Sequence, residues 1–453
     1  MLSVAETELS GDLSRGRRLD FDRSITLRQK AHALIPGGAH TYAKGDDQYP
    51  IESPGFIARG EGCHVWDVDG NEFIEYGMGL RAVTLGHGYR PVAEAAFHAM
   101  LQGGNFTRPA ALEVECAELI ASLFEAADMV KFAKNGSDVT SAAVKLARAY
   151  TGRDLVGICA SQPFFSTDDW FIGSTPMAAG IPESTRALTK TFKFNDLSSV
   201  EQLFAAYPDQ IACLIMEPAT TVEPANNFLR TVQDLCHRHG AVLILDEMIT
   251  GFRWDLQGAQ HYYGVKPDLA TFGKALGNGF AISCLIGRRD IMQLGDLQHD
   301  GERVFLLSTT HGAESAGLAA AMATIKSYQE MPVIAHMWRQ GDRLRTGVNQ
   351  AIEAAGVAGS FDVLGLAPNL VYATRDADGA PSQAYRALFM QEIIKRGVLG
   401  PSFVVSYAHS DADIDRTIDA VSEALVVYRR ALEDGVDDYL VGRPVKPVFR
   451  PRN

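Results

Sequence analysis

The sequence lacks several features that would point to specialised classes of protein. Six cysteines are scattered along 453 residues without a CxxC pair, which argues against a disulfide framework or a zinc site. No apolar run approaches the roughly 20 residues that a membrane-spanning helix needs. Lysine and arginine form no cluster longer than "RGRR", and the formal net charge is −13. We therefore expect neither nucleic acid nor a membrane as a partner.

The first residues also lack the apolar core of a signal peptide, since "MLSVAETELSGDLSRGRR" is polar throughout. We expect a cytoplasmic soluble protein with reduced thiols and a flexible extension over residues 1–24. The composition, 46% hydrophobic and 21% charged, is typical of globular proteins. The length predicts more than one lobe.

Apolar runs alternate with helical segments from about residue 90. The strand candidates are "LVGICA", "IACLIMEP", "AVLILDE", "LATFG" and "ISCLIGR". This order predicts an α/β fold with a large, mostly parallel sheet covered on both faces. A hairpin around "VDGN" and a separate C-terminal α+β region predict a smaller lobe built from both termini. We place the N-terminal part of that lobe at 25–89, the large domain at 90–330 and the C-terminal small domain at 331–453.

The stretch "PDLATFGKALGNG" places one lysine, Lys274, between an apolar strand and a glycine-rich turn. A lysine at the end of a buried strand points into the molecule. Such an ammonium is unfavourable unless it has a specific function or partner.

Two carboxylates also follow apolar strands. Asp246 ends "LILD", and Glu217 follows "IACLIM". Ligands of open α/β sheets bind at the C-terminal strand ends, so both residues are candidates for a site. For Asp246 a structural salt bridge, for example with Arg253, is an equally good interpretation.

A fourth strand end runs into "NGSDVTSAAVKLARAYTG". Gly136 and Ser137 open a helix there, and free backbone N–H groups at a helix N-terminus suit a phosphate. Small residues followed by an aspartate also form an ordinary helix cap.

Together, a phosphate cup, a strand-end aspartate and a lysine 28 residues after that aspartate define a site for pyridoxal 5′-phosphate (PLP). A desolvated lysine amine forms a Schiff base with the cofactor aldehyde. A carboxylate facing the pyridine nitrogen keeps it protonated, so that the ring accepts electrons.

The chain resembles a known family in these motifs. "LILDEMITGFR" followed by "PDLATFGKALGNG" is similar to the class III aminotransferases of fold type I, and in particular to the glutamate-1-semialdehyde 2,1-aminomutase branch. "IPGGAHTY", "KLARAYTGR" and "YAHSDADIDRTIDAV" extend the resemblance over roughly residues 27–430.

The resemblance implies roles for individual residues. Lys274 is the Schiff-base lysine, Asp246 is the partner of the pyridinium, and Gly136 and Ser137 form the phosphate cup. Thr309 in "LLSTTHGAE" reaches the phosphate of the neighbouring subunit, which implies a homodimer with shared active sites. An alternative role for Thr309 is a cap of the following helix.

Other assigned residues lie around the same site. Phe164 in "PFFSTDDW" is placed on the cofactor ring in preference to Phe165. Glu217 and Met248 are counted among the cofactor contacts. Asp138 stands where relatives have threonine, and we expect its carboxylate to cap the helix.

The sequence differs from the family at positions that line the substrate pocket in relatives. The serine and tryptophan of the aminomutase hairpin are replaced by "GMGLRAV", and the glutamate near the C-terminal pocket is absent from "GPSFVVS". Arg81 is new and is our candidate for binding an anionic substrate. Pairing of Arg81 with Glu75 is the structural alternative.

The leading functional hypothesis is an aminotransferase that uses a small-molecule amino donor and a carbonyl acceptor. The alternative is an aminomutase or an amino-acid racemase acting on a single substrate. A regulator that keeps the fold without catalysis is disfavoured by Lys274 and Asp246. The segment "WFIGSTPMAAGIPESTRALTKTFKFND" is expected to be an extended insertion at the rim of the pocket.

Overall fold

The computed structural model describes residues 19–162, 164–450 and 452. In these residues the α-helices are α1 (Asp22–Leu34), α2 (Met78–Arg81), α3 (Arg90–Gln102), α4 (Ala111–Leu123), α5 (Gly136–Thr151), α6 (Asp169–Ile172), α7 (Glu183–Arg186), α8 (Leu197–Ala206), α9 (Phe228–Arg238), α10 (Gly258–Tyr262), α11 (Arg289–Met292), α12 (Ser315–Glu330), α13 (Val333–Ala355), α14 (Gln383–Lys395) and α15 (Asp411–Asp434). The β-strands are β1 (Ile57–Glu61), β2 (His64–Asp67), β3 (Glu72–Glu75), β4 (Met129–Ala133), β5 (Leu155–Cys159), β6 (Thr189–Phe192), β7 (Ile211–Met216), β8 (Val242–Asp246), β9 (Leu269–Phe272), β10 (Ser283–Gly287), β11 (Phe361–Leu364), β12 (Val371–Thr374) and β13 (Val398–Leu399).

A seven-stranded sheet forms the centre of the large domain, in the order β4-β10-β9-β8-β7-β5-β6. Neighbours from β9 to β6 pair in parallel, whereas β10 is antiparallel to both β9 and β4. Strands β5, β7, β8 and β9 are buried along their whole length because helices cover both faces of the sheet. Helix α5 packs on one face, and α8 and α9 pack on the other.

The smaller lobe joins the two ends of the described chain. A four-stranded sheet has the order β1-β2-β3-β13, and β13 pairs with β3 in parallel, Val398 opposite Ile74. The hairpin β11–β12 and the helices α13, α14 and α15 complete this region. Residues distant in sequence therefore meet beside the central sheet. The exact domain boundaries given above stay a prediction.

Most predicted elements are found, with informative exceptions. The segment after the aromatic motif is not simply extended, because it contains α6, α7 and the edge strand β6. Strand β6 has the sequence "TKTF", whose short alternation of polar and apolar residues does not stand out from a loop. The "ISCLIGR" strand is β10, the antiparallel member of the sheet.

The predictions for the N-terminal extension, the cysteines and membrane-spanning helices can also be compared with the structure. Helix α1 begins at Asp22, inside the predicted flexible extension 1–24, of which residues 1–18 lie outside the described part. All six cysteines are buried and free, as predicted. Among the described helices, none combines the length and apolar character that a membrane span needs.

Candidate active site

The candidate site residues gather at one edge of the central sheet. Strands β4, β7, β8 and β9 run in the same direction, so their C-terminal ends meet at that edge. The residues that follow these ends are Gly136, Glu217 and Lys274, and Asp246 is itself the last residue of β8. Four positions spread over 139 positions of sequence thereby reach one cleft, which is where open α/β sheets bind their ligands.

Lys274 begins a short 3₁₀ turn, Lys274–Gly277, directly after β9 and Gly273. Its φ of +41° lies in the left-handed region, which is uncommon for a lysine and typical of constrained functional positions. Burial lowers the pKa of the Lys274 amine below its usual range, while Asp246 and Glu217 oppose the shift. A larger fraction of this lysine is therefore neutral and nucleophilic at physiological pH than of a surface lysine.

Asp246 is 3% exposed, and its carboxylate is held in place from two sides. The backbone N–H of Met248 donates to Oδ1 at 3.0 Å, and the hydroxyl of Thr271 on β9 donates to the same oxygen at 3.1 Å. Burial raises the pKa of Asp246 to about 6, against the effect of Lys274 and these two donors. The carboxylate is therefore mostly ionised at neutral pH, and Oδ2 is left for a cationic partner.

Arg253 does not form the salt bridge with Asp246 that the sequence left open. Its side chain donates to the carbonyl oxygens of Ile249 at 3.0 Å and Arg81 at 2.6 Å. Arg253 is fully buried, and burial lowers its pKa to about 10. It supports the backbone that carries Arg81.

Glu217 lies beside Asp246 in the interior. Burial and then the charge of Asp246 raise the pKa of Glu217, and Lys274 and Arg81 oppose the shift. The backbone of Glu217 exchanges two hydrogen bonds of 2.8 Å with the side-chain amide of Gln162. Gln162 thus fixes the end of β7 to the segment after β5.

Gly136 and Ser137 form the first turn of α5. A Cβ atom at Gly136 would lie 3.0 Å from Sδ of Met248, and one at Gly273 would lie 2.7 Å from it. Met248 therefore packs between the helix N-terminus and the turn of Lys274, and glycine leaves room for it at both positions. The Asp138 carboxylate accepts from the Asn135 N–H at 2.9 Å, which confirms the expected helix cap.

The two phenylalanines of the aromatic motif differ in their exposure to solvent. Phe165 is 1% exposed and packs edge-on against Phe171 in the core, whereas Phe164 is 43% exposed. Phe164 also contacts Phe171 edge-on, with 5.7 Å between ring centres, but its ring remains partly accessible for stacking and that of Phe165 does not. Thr309 lies exposed in the segment between β10 and α12.

Arg81 ends a left-handed helical turn. Met78, Gly79, Leu80 and Arg81 have φ of +41°, +59°, +58° and +72°. The left-handed conformation costs roughly 1–2 kcal/mol for each of the three non-glycine residues. The expected alternative pairing does not form, because Glu75 Oε2 lies 3.0 Å from Nε2 of His87 instead. Arg81 Nε donates to Asn369 Oδ1 at 2.8 Å.

Known proteins with similar sequences and structures are aminotransferases and aminomutases. The family model described as aminotransferase class-III matches residues 42–425. Glutamate-1-semialdehyde 2,1-aminomutases of Desulforamulus reducens and Laribacter hongkongensis are each 32% identical, over 89% of this chain and 98% and 99% of theirs. The FumI protein of Sphingopyxis sp. MTA144, solved in its PLP internal aldimine form, is 28% identical with a TM-score of 0.82, covering 91% of this chain and 98% of FumI.

An open, mostly parallel sheet with these residues at its edge defines a PLP-dependent enzyme of fold type I. The chain belongs to the class III aminotransferase family. Its residues fit the cofactor, because a buried amine, a buried carboxylate and a glycine-opened helix N-terminus converge. The aldehyde of the cofactor would be held by Lys274 and its ring nitrogen by Asp246. Its phosphate would be held by Gly136 and Ser137.

Several positioning residues escape sequence reasoning. Gln162, Thr271 and Asn369 contact Glu217, Asp246 and Arg81 through hydrogen bonds. Thr271 could have been found, since it precedes Lys274 in β9 and faces the neighbouring strand β8. For Asn369, 288 residues away from Arg81, the sequence holds no local signal.

Proposed function

We propose that the protein transfers an amino group from a small amino donor to a small carbonyl acceptor. The convergence of Lys274 with Asp246 at the end of β8 carries this proposal. When bound, PLP supplies an aldehyde that captures amino groups and a ring that accepts electrons from the substrate carbon. The remaining chemistry belongs to the residues of the chain.

Lys274 has the central role in the proposal. Its amine, kept partly neutral by burial, binds the cofactor and accepts at Nζ the proton lost from the amino-bearing carbon of the substrate. Asp246 holds the ring nitrogen through its ionised carboxylate. Met248 and Thr271 keep that carboxylate oriented.

The other proposed cofactor contacts surround this pair. The backbone N–H groups of Gly136 and Ser137 bind the phosphate at the positive end of α5. Phe164 stacks on the ring, and Glu217 and Met248 line the site from the β7 and β8 ends. Arg81 binds the substrate.

A single-substrate aminomutase or racemase is the second candidate function. The 32% identical relatives named glutamate-1-semialdehyde 2,1-aminomutase favour it. The replacement of the aminomutase hairpin and pocket residues, with Arg81 in their place, supports the transaminase instead.

Dependence on a second substrate separates the two functions. Candidate amines would be added singly to the purified holoenzyme, with and without a carbonyl acceptor, while the absorbance of the lysine-bound cofactor and the products are followed. A transaminase loses that absorbance with an amine alone, and it turns over only when the acceptor is present. Catalytic conversion of a single compound without any acceptor would contradict the proposal.

We also propose a homodimer with shared active sites. Its support is an exposed apolar surface on α3 and the loop after it, with Phe97 60%, Leu101 70% and Phe106 53% exposed. The exposed Thr309 is free to reach a neighbouring subunit.

Subunit mixing tests the shared site. Lys274→Ala and Thr309→Ala chains, each inactive or weak alone, should regain part of the activity when mixed, because hybrid dimers contain one intact site. A fully active monomer in sedimentation at assay concentration would exclude the arrangement. A cytoplasmic location without nucleic-acid or membrane partners is proposed from the free buried thiols and the net charge of −13.

A further inference from the structure

Arg81 is a partly buried cation that lacks a carboxylate partner. Among the described residues, no acid lies within the 4 Å of an ion pair from its guanidinium. Burial lowers the pKa of Arg81, Glu217 raises it, and Arg386 lowers it. A buried charge is normally paired, so an unpaired one beside a catalytic lysine calls for a partner from outside the chain.

The guanidinium of Arg81 is oriented by its surroundings. Nε donates to Asn369 Oδ1 at 2.8 Å, and Asn369 is 5% exposed on the turn Ala367–Asn369. The carbonyl oxygen of Arg81 accepts from Arg253 at 2.6 Å. In the described part of the chain Nη1 and Nη2 have no acceptor, and neither is sealed from solvent. These two nitrogens form the face of the guanidinium that grips an oxyanion with two parallel bonds.

A second cation, Arg386 on α14, lies near Arg81. Its guanidinium carbon is 4.8 Å from the ring centre of Tyr372, and Nη2 donates to the carbonyl oxygen of Pro401 at 2.7 Å. Pro401 in turn packs against Gly77, the residue before the left-handed turn. Like Arg81, Arg386 has no carboxylate within ion-pair distance in the described residues.

The acids of this region do not neutralise the two arginines. Glu75 binds His87 at 3.0 Å. Burial and the charge of Asp246 raise the pKa of Glu217 and favour its neutral form. Neither acid is therefore ion-paired with Arg81 or Arg386.

A cavity of about 450 Å³ borders the left-handed turn that ends at Arg81. Its lining includes Tyr49, Glu75, Gly77, Gly79, Leu80 and Leu399, whereas Arg81 and Arg386 lie behind this lining. Leu80 is adjacent to Arg81, and the charges of Glu75 and, more weakly, Arg386 act on Tyr49 in opposite directions. Its volume is that of a site for a small molecule, and Gly77, Gly79 and Leu80 place the left-handed turn in its wall.

We infer that Arg81 and Arg386 form a subsite for an anionic group of the substrate, a carboxylate or a phosphate, and that Asn369 is the positioning residue of Arg81. This inference rests on the proposed function, since it names the class of substrate that the same site takes. The left-handed turn presents the guanidinium, Asn369 fixes its plane, and Arg386 adds the second charge.

Binding of unreactive anions to the holoenzyme tests the subsite without turnover. Calorimetric titration with butanoate and with inorganic phosphate would be compared with butanamide, which has the size of butanoate but no charge. The cofactor occupies its own phosphate site in the holoenzyme, so added phosphate reports on the second subsite. The anion that binds more tightly identifies the substrate group as carboxylate or phosphate.

Four variants of the subsite and one control variant sharpen the test. Arg81→Gln and Arg386→Gln should each weaken anion binding at least about tenfold. Arg81→Lys should rescue only part of it, because an ammonium lacks the planar fork. Asn369→Asp keeps the hydrogen bond to Nε but supplies an internal counter-ion, so it should abolish anion binding while raising the melting temperature. Arg429→Gln, at an exposed arginine paired with Glu433 on α15, is the matched control and should bind anions as the wild type does.

The outcomes separate this inference from the proposed function. Anion binding that depends on Arg81 but no transamination with any amine would uphold the subsite and refute the transaminase. If the enzyme catalyses transamination but binds butanoate and phosphate no more tightly than butanamide, the subsite is refuted and the proposed function is not. Unchanged anion binding in Asn369→Asp would also overturn the inference.

Discussion

Two clusters of charged residues in this protein have opposite electrostatic character. In the candidate active site, burial lowers the pKa of Lys274 and raises the pKa values of Asp246 and Glu217, so that the neutral form of each group is favoured. Near the N-terminus of α15, His64 lies 3.0 Å from Asp413 and 2.8 Å from Glu72. There the hydrogen bond to Asp413 raises the pKa of His64, so the charged form is favoured.

The same contrast holds for the acids. Although burial acts in the opposite direction, hydrogen bonds from His64 and Ser410 hold the pKa of Asp413 well below its usual range. Among the described residues, Asp246 accepts only from an amide and a hydroxyl, and its pKa is raised. A direct ion pair stabilises the charged form of both partners and holds the elements that carry them together. A group that is buried without an ion pair instead has its pKa shifted toward neutral pH, where it can gain or lose a proton. The first cluster is therefore suited to catalysis and the second to holding the hairpin β2–β3 on α15.

The largest expected difference is between two aspartate-to-asparagine changes. Asp246→Asn should reduce turnover at least about 100-fold, because the amide cannot balance a protonated ring nitrogen. Its melting temperature should change little or rise, since a desolvated carboxylate is removed. Asp413→Asn should do the reverse and cost about 1.5–3 kcal/mol of the free energy of unfolding, with normal turnover per folded molecule.

Turnover and thermal unfolding measured on both variants decide between the two roles. Loss of stability with retained activity in Asp246→Asn would mean that its carboxylate is structural. Reduced turnover per folded molecule in Asp413→Asn would contradict the purely structural role of the cluster around His64.

A smaller effect is expected in the pH dependence of stability. The pKa of His64 is raised by folding, so its contribution is fully present below about pH 6.5 and is lost as the pH rises through the folded value. The lowered pKa of Asp413 gives a contribution present above about pH 4 and lost as the pH falls through the folded value. The pair should stabilise most between about pH 4 and 6.5.

His64→Gln measures this contribution. The unfolding free energy of wild type should exceed that of the variant by roughly 1 kcal/mol at pH 6, and the difference should shrink toward pH 9. A difference independent of pH would show that His64 acts through packing alone.

Sequence reasoning located the central sheet and the buried candidate residues at its edge for one physical reason. Strands buried on both faces are continuous apolar runs, so the ends of β7, β8 and β9 could be located, and with them Glu217, Asp246 and Lys274. The left-handed turn at Met78–Arg81 could not be foreseen, because methionine and leucine do not prefer that conformation and contacts elsewhere impose it. The carbonyl of Arg81 is bound by Arg253, which lies 172 residues further along the chain.

The position of the reactive amine is the central claim and has a direct measurement. The purified holoenzyme would be reduced with borohydride, digested and analysed by mass spectrometry for the residue that carries the reduced cofactor. We predict a single labelled peptide with the modification on Lys274, and no label in Lys274→Ala, while Lys326→Ala, which removes an exposed lysine of α12, is labelled normally. Labelling of another lysine in the wild type, or normal turnover of Lys274→Ala, would contradict the account.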